Sequence, residues 1–155
     1  MERLKNVFIS HRGSDDEHIQ KLRDLLGGKG YQIRNSSIDS SKPNEAQNED
    51  YIKSLLRPRI QWASTMVILI SPDTKNSDWV NWEIEQAQME GKRIVGVYVN
   101  GANDCDVPEK FEEFGDALIG WTGDRIIDAI EGNIDNFEQP NGSPRPPKNI
   151  DRGDC

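Results

Sequence analysis

The chain has 155 residues, the size of one domain built around one hydrophobic core. With a net charge of −8, 34% hydrophobic and 30% charged residues, it attracts neither nucleic acid nor an anionic membrane surface. No run approaches the ~18 apolar residues of a membrane span and the start lacks a signal-peptide core, so a cytoplasmic location is expected. Cys105 and Cys155 have no metal-ligand spacing and suggest no bridge.

Val7-Phe-Ile-Ser10 is a short apolar run, followed by the polar loop His11-Arg-Gly-Ser-Asp15. Asp15 to Leu26 reads as a helix, with Ile19, Leu22, Leu25 and Leu26 on one face and Gly27, Gly28 and Gly30 stopping it. Tyr31 to Arg34 is a shorter strand whose polar alternation suits a sheet edge. The polar stretch Asn35 to Gln47 is long for a connection, as functional or mobile loops are. A second helix is expected from Asn48 to Arg57, with Tyr51, Ile52, Leu55 and Leu56 inward and Pro58 disturbing its end. Thr65 to Ile70 is the clearest buried strand.

Ser77-Asp78 caps a third helix that carries Trp79, Val80, Trp82, Ile84 and Ala87 and ends at Gly91. Arg93 to Val99 is another buried strand, and residues 100–116 are loop and short helix anchored by Val107, Phe111 and Phe114. Ala117 to Trp121 is the last strand and Asp124 to Ile130 the last helix. From Asn133 the composition turns to Asn, Pro, Gly and Asp, so a domain of residues 1–132 and a flexible tail of residues 133–155 are expected. Five strands alternating with helices predict an α/β fold with a parallel, right-handed, doubly wound sheet. Ligands of such sheets bind outside the carboxyl ends of the strands, here in the loops after Ser10, Arg34, Ile70 and Val99.

The chemistry-bearing motif is Ser77-Asp-Trp-Val-Asn-Trp-Glu83. Trp79 and Glu83 are i and i+4, so one helix face presents an indole beside a carboxylate. That pair suits a flat cationic heterocycle attached to a sugar. Taken alone, the same residues also read as core tryptophans and a solvated glutamate. Ser10, His11 and Arg12 form a second feature: backbone N–H groups near a helix N-terminus with one guanidinium, which suits phosphate oxygens. No dinucleotide-binding glycine motif, P-loop, His-based zinc motif or nucleophile elbow occurs.

In this order the motifs resemble a TIR domain, a flavodoxin-like doubly wound fold. Val7-Phe-Ile-Ser-His-Arg-Gly-Ser-Asp15 is similar to the family's opening strand and loop, and Val67-Ile-Leu-Ile-Ser71 to its central strand. Ser77-Asp-Trp-Val-Asn-Trp-Glu-Ile84 matches the pattern around the catalytic glutamate. Lys92 to Val99 and Ile119-Gly-Trp121 continue the match, over roughly residues 5–132. The Ile94–Val99 strand and the Trp79–Ile84 helix look most like bacterial TIR-like proteins of the Thoeris antiphage type.

The resemblance implies an enzyme that cleaves NAD+ at the nicotinamide–ribose bond and makes an ADP-ribose-derived signal for a separate effector protein. It implies NAD+ as substrate rather than cofactor, no metal, and TIR self-association on activation. Glu83 takes the catalytic position and Trp79 an aromatic wall; Ser10, His11, Arg12, Arg34 and Ser71 would bind substrate. His11 departs from the aromatic ring that many relatives carry there. The alternative is a non-catalytic TIR module that assembles with other TIR domains.

Overall fold

A computed structural model describes residues 3–11, 16–35, 49–72, 74–99 and 101–144. Five strands, β1 (Arg3–Ser10), β2 (Tyr31–Asn35), β3 (Thr65–Ile70), β4 (Arg93–Tyr98) and β5 (Ala117–Ile119), form one sheet. All neighbours pair in parallel, in the order β2-β1-β3-β4-β5. The helices are α1 (Asp16–Gly27), α2 (Glu49–Trp62), α3 (Asp78–Met89), α4 (Glu109–Phe114) and α5 (Gly123–Ile130). The α/β, doubly wound, five-stranded parallel architecture is the expected one, and β2 is at the edge.

Strand pleating sorts the core into two layers. Val7, Ile9, Tyr31, Ile33, Val67, Leu69, Val95 and Val97 face one way and pack on Leu22 and Leu26 of α1 and Ile126, Ile127 and Ile130 of α5. Phe8, Met66, Ile68, Ile70, Ile94, Tyr98 and Leu118 face the other way, onto α2, α3 and Phe111 of α4. Val67, Ile68, Leu69, Val95 and Val97 are wholly buried, as a strand covered on both faces requires. Gly96 sits where α4 leans in. A Cβ there would lie 2.9 Å from Phe111 Cζ and 3.0 Å from both Ile70 Cδ1 and Leu118 Cδ1. Gly96→Ala is therefore expected to destabilise by about 1–3 kcal/mol through overpacking, read as a lower urea midpoint. An unchanged midpoint would mean that the Phe111 ring yields freely.

Several expectations are corrected. Helix α2 continues through Pro58 to Trp62. Burial of Ile60 extends the stripe Ile52, Leu56, Ile60, whose i, i+4, i+8 spacing holds the last turn against the sheet. Tyr51 and Leu55, expected inward, lie off that stripe and are exposed. The last strand ends at Ile119, leaving Trp121 exposed. Cys155, for which no bridge was expected, lies outside the described residues.

The largest correction concerns residues 133–144. They pack instead of trailing away. Asn136 O accepts from Leu118 N at 2.8 Å and Glu138 N donates to Leu118 O at 2.8 Å, so the segment lies parallel along the outer edge of β5. Phe137 packs on Phe111, with ring centroids 5.9 Å apart. Glu138 is buried; its carboxylate accepts from Gly120 N at 3.3 Å and from Arg125, and its carbonyl accepts from Tyr98 Oη at 2.9 Å. Arg93 ties down the approach, donating to Ala129 O at 2.6 Å and Ile134 O at 2.7 Å. The rest of the expected tail, residues 145–155, lies outside the described residues.

Candidate active site

The sheet order places a topological switch between β1 and β3, and the crevice above their carboxyl ends is where this fold class takes ligands. Two chain segments meet there because of two separate periodicities. Along β1, Ser10 shares the pleat face of Phe8, so its side chain points to the α3 side. Along α3, Val80, Glu83, Ile84 and Ala87 are the buried residues, the i, i+3, i+4, i+7 stripe that faces the sheet. Glu83 therefore occupies a core position.

The two side chains bond. Ser10 Oγ donates to Glu83 Oε1 at 2.7 Å, although 73 residues separate them in the chain. Among the described residues the other oxygen, Oε2, takes no hydrogen bond. Glu83 keeps 8% exposure, so the reading of a solvated helix residue is overturned. Burial pushes its carboxyl up from 4.5 to about 8, against the opposing pull of the Ser10 hydroxyl. A carboxyl held in this condition beside the end of β1, at the topological switch, is a functional-site candidate on physical grounds.

The other expected site residues divide. His11 is buried beside Ser10, with Nδ1 3.2 Å from Ile9 O. A carbonyl only accepts, so Nδ1 carries a hydrogen and donates it. Trp79 is half-buried one turn before Glu83, its ring edge-on to Trp82 at 5.9 Å and 83°. Ser71 is buried, but its N–H donates to Thr74 Oγ1 at 2.8 Å and its hydroxyl shares a 2.9 Å hydrogen bond with the same oxygen. Those bonds close the turn into α3, whose N-cap Ser77 accepts from Val80 N at 3.2 Å. Arg34 is exposed on β2 and lies over the Trp62 ring at 5.4 Å, engaged at the end of α2. Arg12 and residues 36–47 of the expected binding loop lie outside the described residues.

Two features had not been anticipated. Thr74, wholly buried, organises the turn that aims α3. Lys53 and Arg57 of α2 lie over the Trp82 ring at 5.5 and 5.6 Å. Their i, i+4 spacing was legible, but not which helix they would meet. Among the described residues there is no cluster of three His, Cys, Asp or Glu that could hold a metal, and no helix is long and apolar enough to cross a membrane.

Residues 8–104, from β1 through the Ser77–Glu83 segment to beyond β4, match the family described as Thoeris protein ThsB, TIR-like domain. The chain belongs to that family. The matched span of this TIR-like chain includes both Ser10 and Glu83. A Bacillus cereus (strain MSX-D12) protein named "Probable 3' cyclic ADP-D-ribose synthase ThsB'" is 24% identical over 82 residues. That match covers 53% of this chain and only 42% of the relative's length. Among solved structures, the TIR domains of the activated Roq1 resistosome recognising the effector XopQ are similar, at 22% identity and a TM-score of 0.42. That similarity covers 62% of this chain and 58% of the other. Clostridium botulinum CMP N-glycosidase BcmB is similar at 21% identity and a TM-score of 0.40, over 61% of this chain and 71% of the other.

Proposed function

We propose that this TIR-like chain cleaves NAD+ at the nicotinamide–ribose bond and makes an ADP-ribose-derived signal in antiphage defence. The observation that carries the proposal is the buried Glu83 carboxyl, anchored by Ser10 at the switch crevice with one oxygen left for a ligand. Family membership and the name of the Bacillus cereus relative support the same chemistry.

When the bond breaks, its electron pair goes to the nicotinamide nitrogen and the cationic base leaves neutral, so no acid is needed. Positive charge develops at the ribose C1′ and ring oxygen, as in glycoside hydrolysis. A carboxylate beside the ribose stabilises that charge, and Trp79 supplies a flat wall for the base. Water capturing C1′ and losing a proton to solvent gives ADP-ribose; a hydroxyl of the same molecule that captures C1′ and loses its proton closes a ring. The pyrophosphate is assigned to the loop around Arg12, with His11 and Arg34 as further substrate contacts. Self-association on activation and a separate effector coupled through the product complete the proposal. A purely adhesive TIR module would have no use for a buried carboxyl that weakens its own core.

The test is incubation of the protein with NAD+ across pH 6–9, with products resolved by mass spectrometry. Because the free carboxyl is pushed up to about 8, only about a tenth is ionised at pH 7. kcat/KM is therefore expected to rise about tenfold per pH unit from pH 6 and to level off above pH 8. The midpoint in kcat should be lower, because the bound pyridinium cation favours the carboxylate. A flat profile with active protein would remove Glu83 from the chemistry. Absence of any nicotinamide release would sink the enzymatic reading.

A further inference from the structure

We infer that Ser10 is a positioning residue, not a substrate contact: its hydroxyl anchors Oε1 of Glu83 so that Oε2 alone meets the ribose. The inference rests on the proposed NAD+ chemistry for the identity of the ligand, but the anchoring stands on geometry alone. Ser10 is 1% exposed and Glu83 8%, so of the two it is the glutamate that keeps contact with the surface. The 2.7 Å bond is aligned by the β1 pleat and the α3 stripe, neither of which can rotate without disturbing Phe8 or Ile84. Oε2 takes no hydrogen bond among the described residues, so the two oxygens are chemically distinct. In the neutral acid Ser10 holds the carbonyl-like oxygen and Oε2 carries the proton; on ionisation Oε2 becomes the bare anionic oxygen.

Three cations on the elements packed against α3 have partners of their own. Lys53 and Arg57 of α2 lie over Trp82, and Lys110 of α4 pairs with Glu85 and Glu113. None contributes to the ionisation of Glu83, which burial and Ser10 set between them. His11, the nearest titratable neighbour along β1, is bonded through Nδ1 to Ile9 O. Ser10 is thus the described side chain that favours the charged acid.

Ser10→Ala deletes a single buried oxygen and Ser10→Thr keeps the hydroxyl, and circular dichroism verifies that each folds. Two readouts are compared with wild type: the pH profile of NAD+ cleavage, and the infrared band of the protonated Glu83 carboxyl, isolated by subtracting Glu83→Gln spectra. In Ser10→Ala both midpoints should move to higher pH by about one unit. Cleavage at pH 7 should fall about tenfold and come back to within about twofold of wild type by pH 9, with KM for NAD+ little changed. Ser10→Thr should keep the wild-type midpoints; should its extra methyl prevent folding, the Ala comparison decides. An infrared midpoint unmoved by Ser10→Ala overturns the inference, as does a rise in KM alone, which would make Ser10 a substrate contact. A shifted infrared midpoint in a protein that never cleaves NAD+ supports the anchoring and removes the NAD+ reading.

Discussion

Replacing Glu83 with Gln is expected to cut NAD+ turnover by at least about a hundredfold and, in the same protein, to raise the melting temperature. The loss follows from removing one electrostatic stabiliser of a cationic transition state, ~3–4 kcal/mol. NAD+ affinity should change much less, because the charge acts mainly as the bond breaks. The gain in stability follows from proton linkage. The folded carboxyl titrates near 8 and the unfolded one near 4.5, so between those pH values the native state holds a proton that the unfolded state has released. Stability then falls as pH rises through this window, by about 1.4 kcal/mol per unit, and levels off above pH 8. Gln keeps the shape and still accepts from Ser10, but never ionises. At pH 7 the variant should be more stable by roughly 3 kcal/mol, an increase of about 5–10 °C. Below pH 4.5 the two proteins should melt together. Equal melting curves at every pH would refute the buried acid, and wild-type turnover in the folded variant would refute its catalysis.

Removing Arg125 is expected to produce the largest loss of stability. Its guanidinium pairs with Glu138, whose side chain is 3% exposed against 41% for the arginine. Arg125→Ala leaves a carboxylate shut in the interior with only the Gly120 N–H facing its other oxygen. For fully buried pairs such a change costs about 3–5 kcal/mol; partial access of water at the arginine lowers the expectation to about 2–4 kcal/mol. Arg125→Ala combined with Glu138→Leu should regain most of that, since the stranded charge is then gone. Urea denaturation of the two single variants and the double variant measures the coupling. Additive losses would show that the pair does not act as a unit.

The central strands were legible because Val67 to Ile70 and Ile94 to Val99 are continuous apolar runs, which only a strand covered on both faces tolerates. Cap and stop signals around α1 and α3 placed those helices to within two residues. The face of α2 was misread because Tyr51 and Leu55 satisfy a loose apolar count, while the stripe that reaches the sheet is Ile52, Leu56, Ile60. Glu83 was found through its neighbours in the motif. Its burial was not, because a glutamate between Trp82 and Ile84 gives no sign of which stripe will face the core. Nor could the Ser10–Glu83 bond be read until two periodicities were laid over a known strand order. Glu138 had no signal at all: it stands among Asn, Pro and Gly, and its partners lie on β4, β5 and α5.

The segment along β5 also moves the natural end of the folding unit. Cut after residue 132, the chain would keep every described helix and all five strands of the sheet, yet expose the Leu118 amide and carbonyl and one side of Phe111. An uncovered strand border with an aromatic ring beside it is a template on which a second molecule can grow. The stretch that composition marks as dispensable thus serves as the selvedge of the sheet, and a fragment trimmed to its regular elements would fray into aggregates.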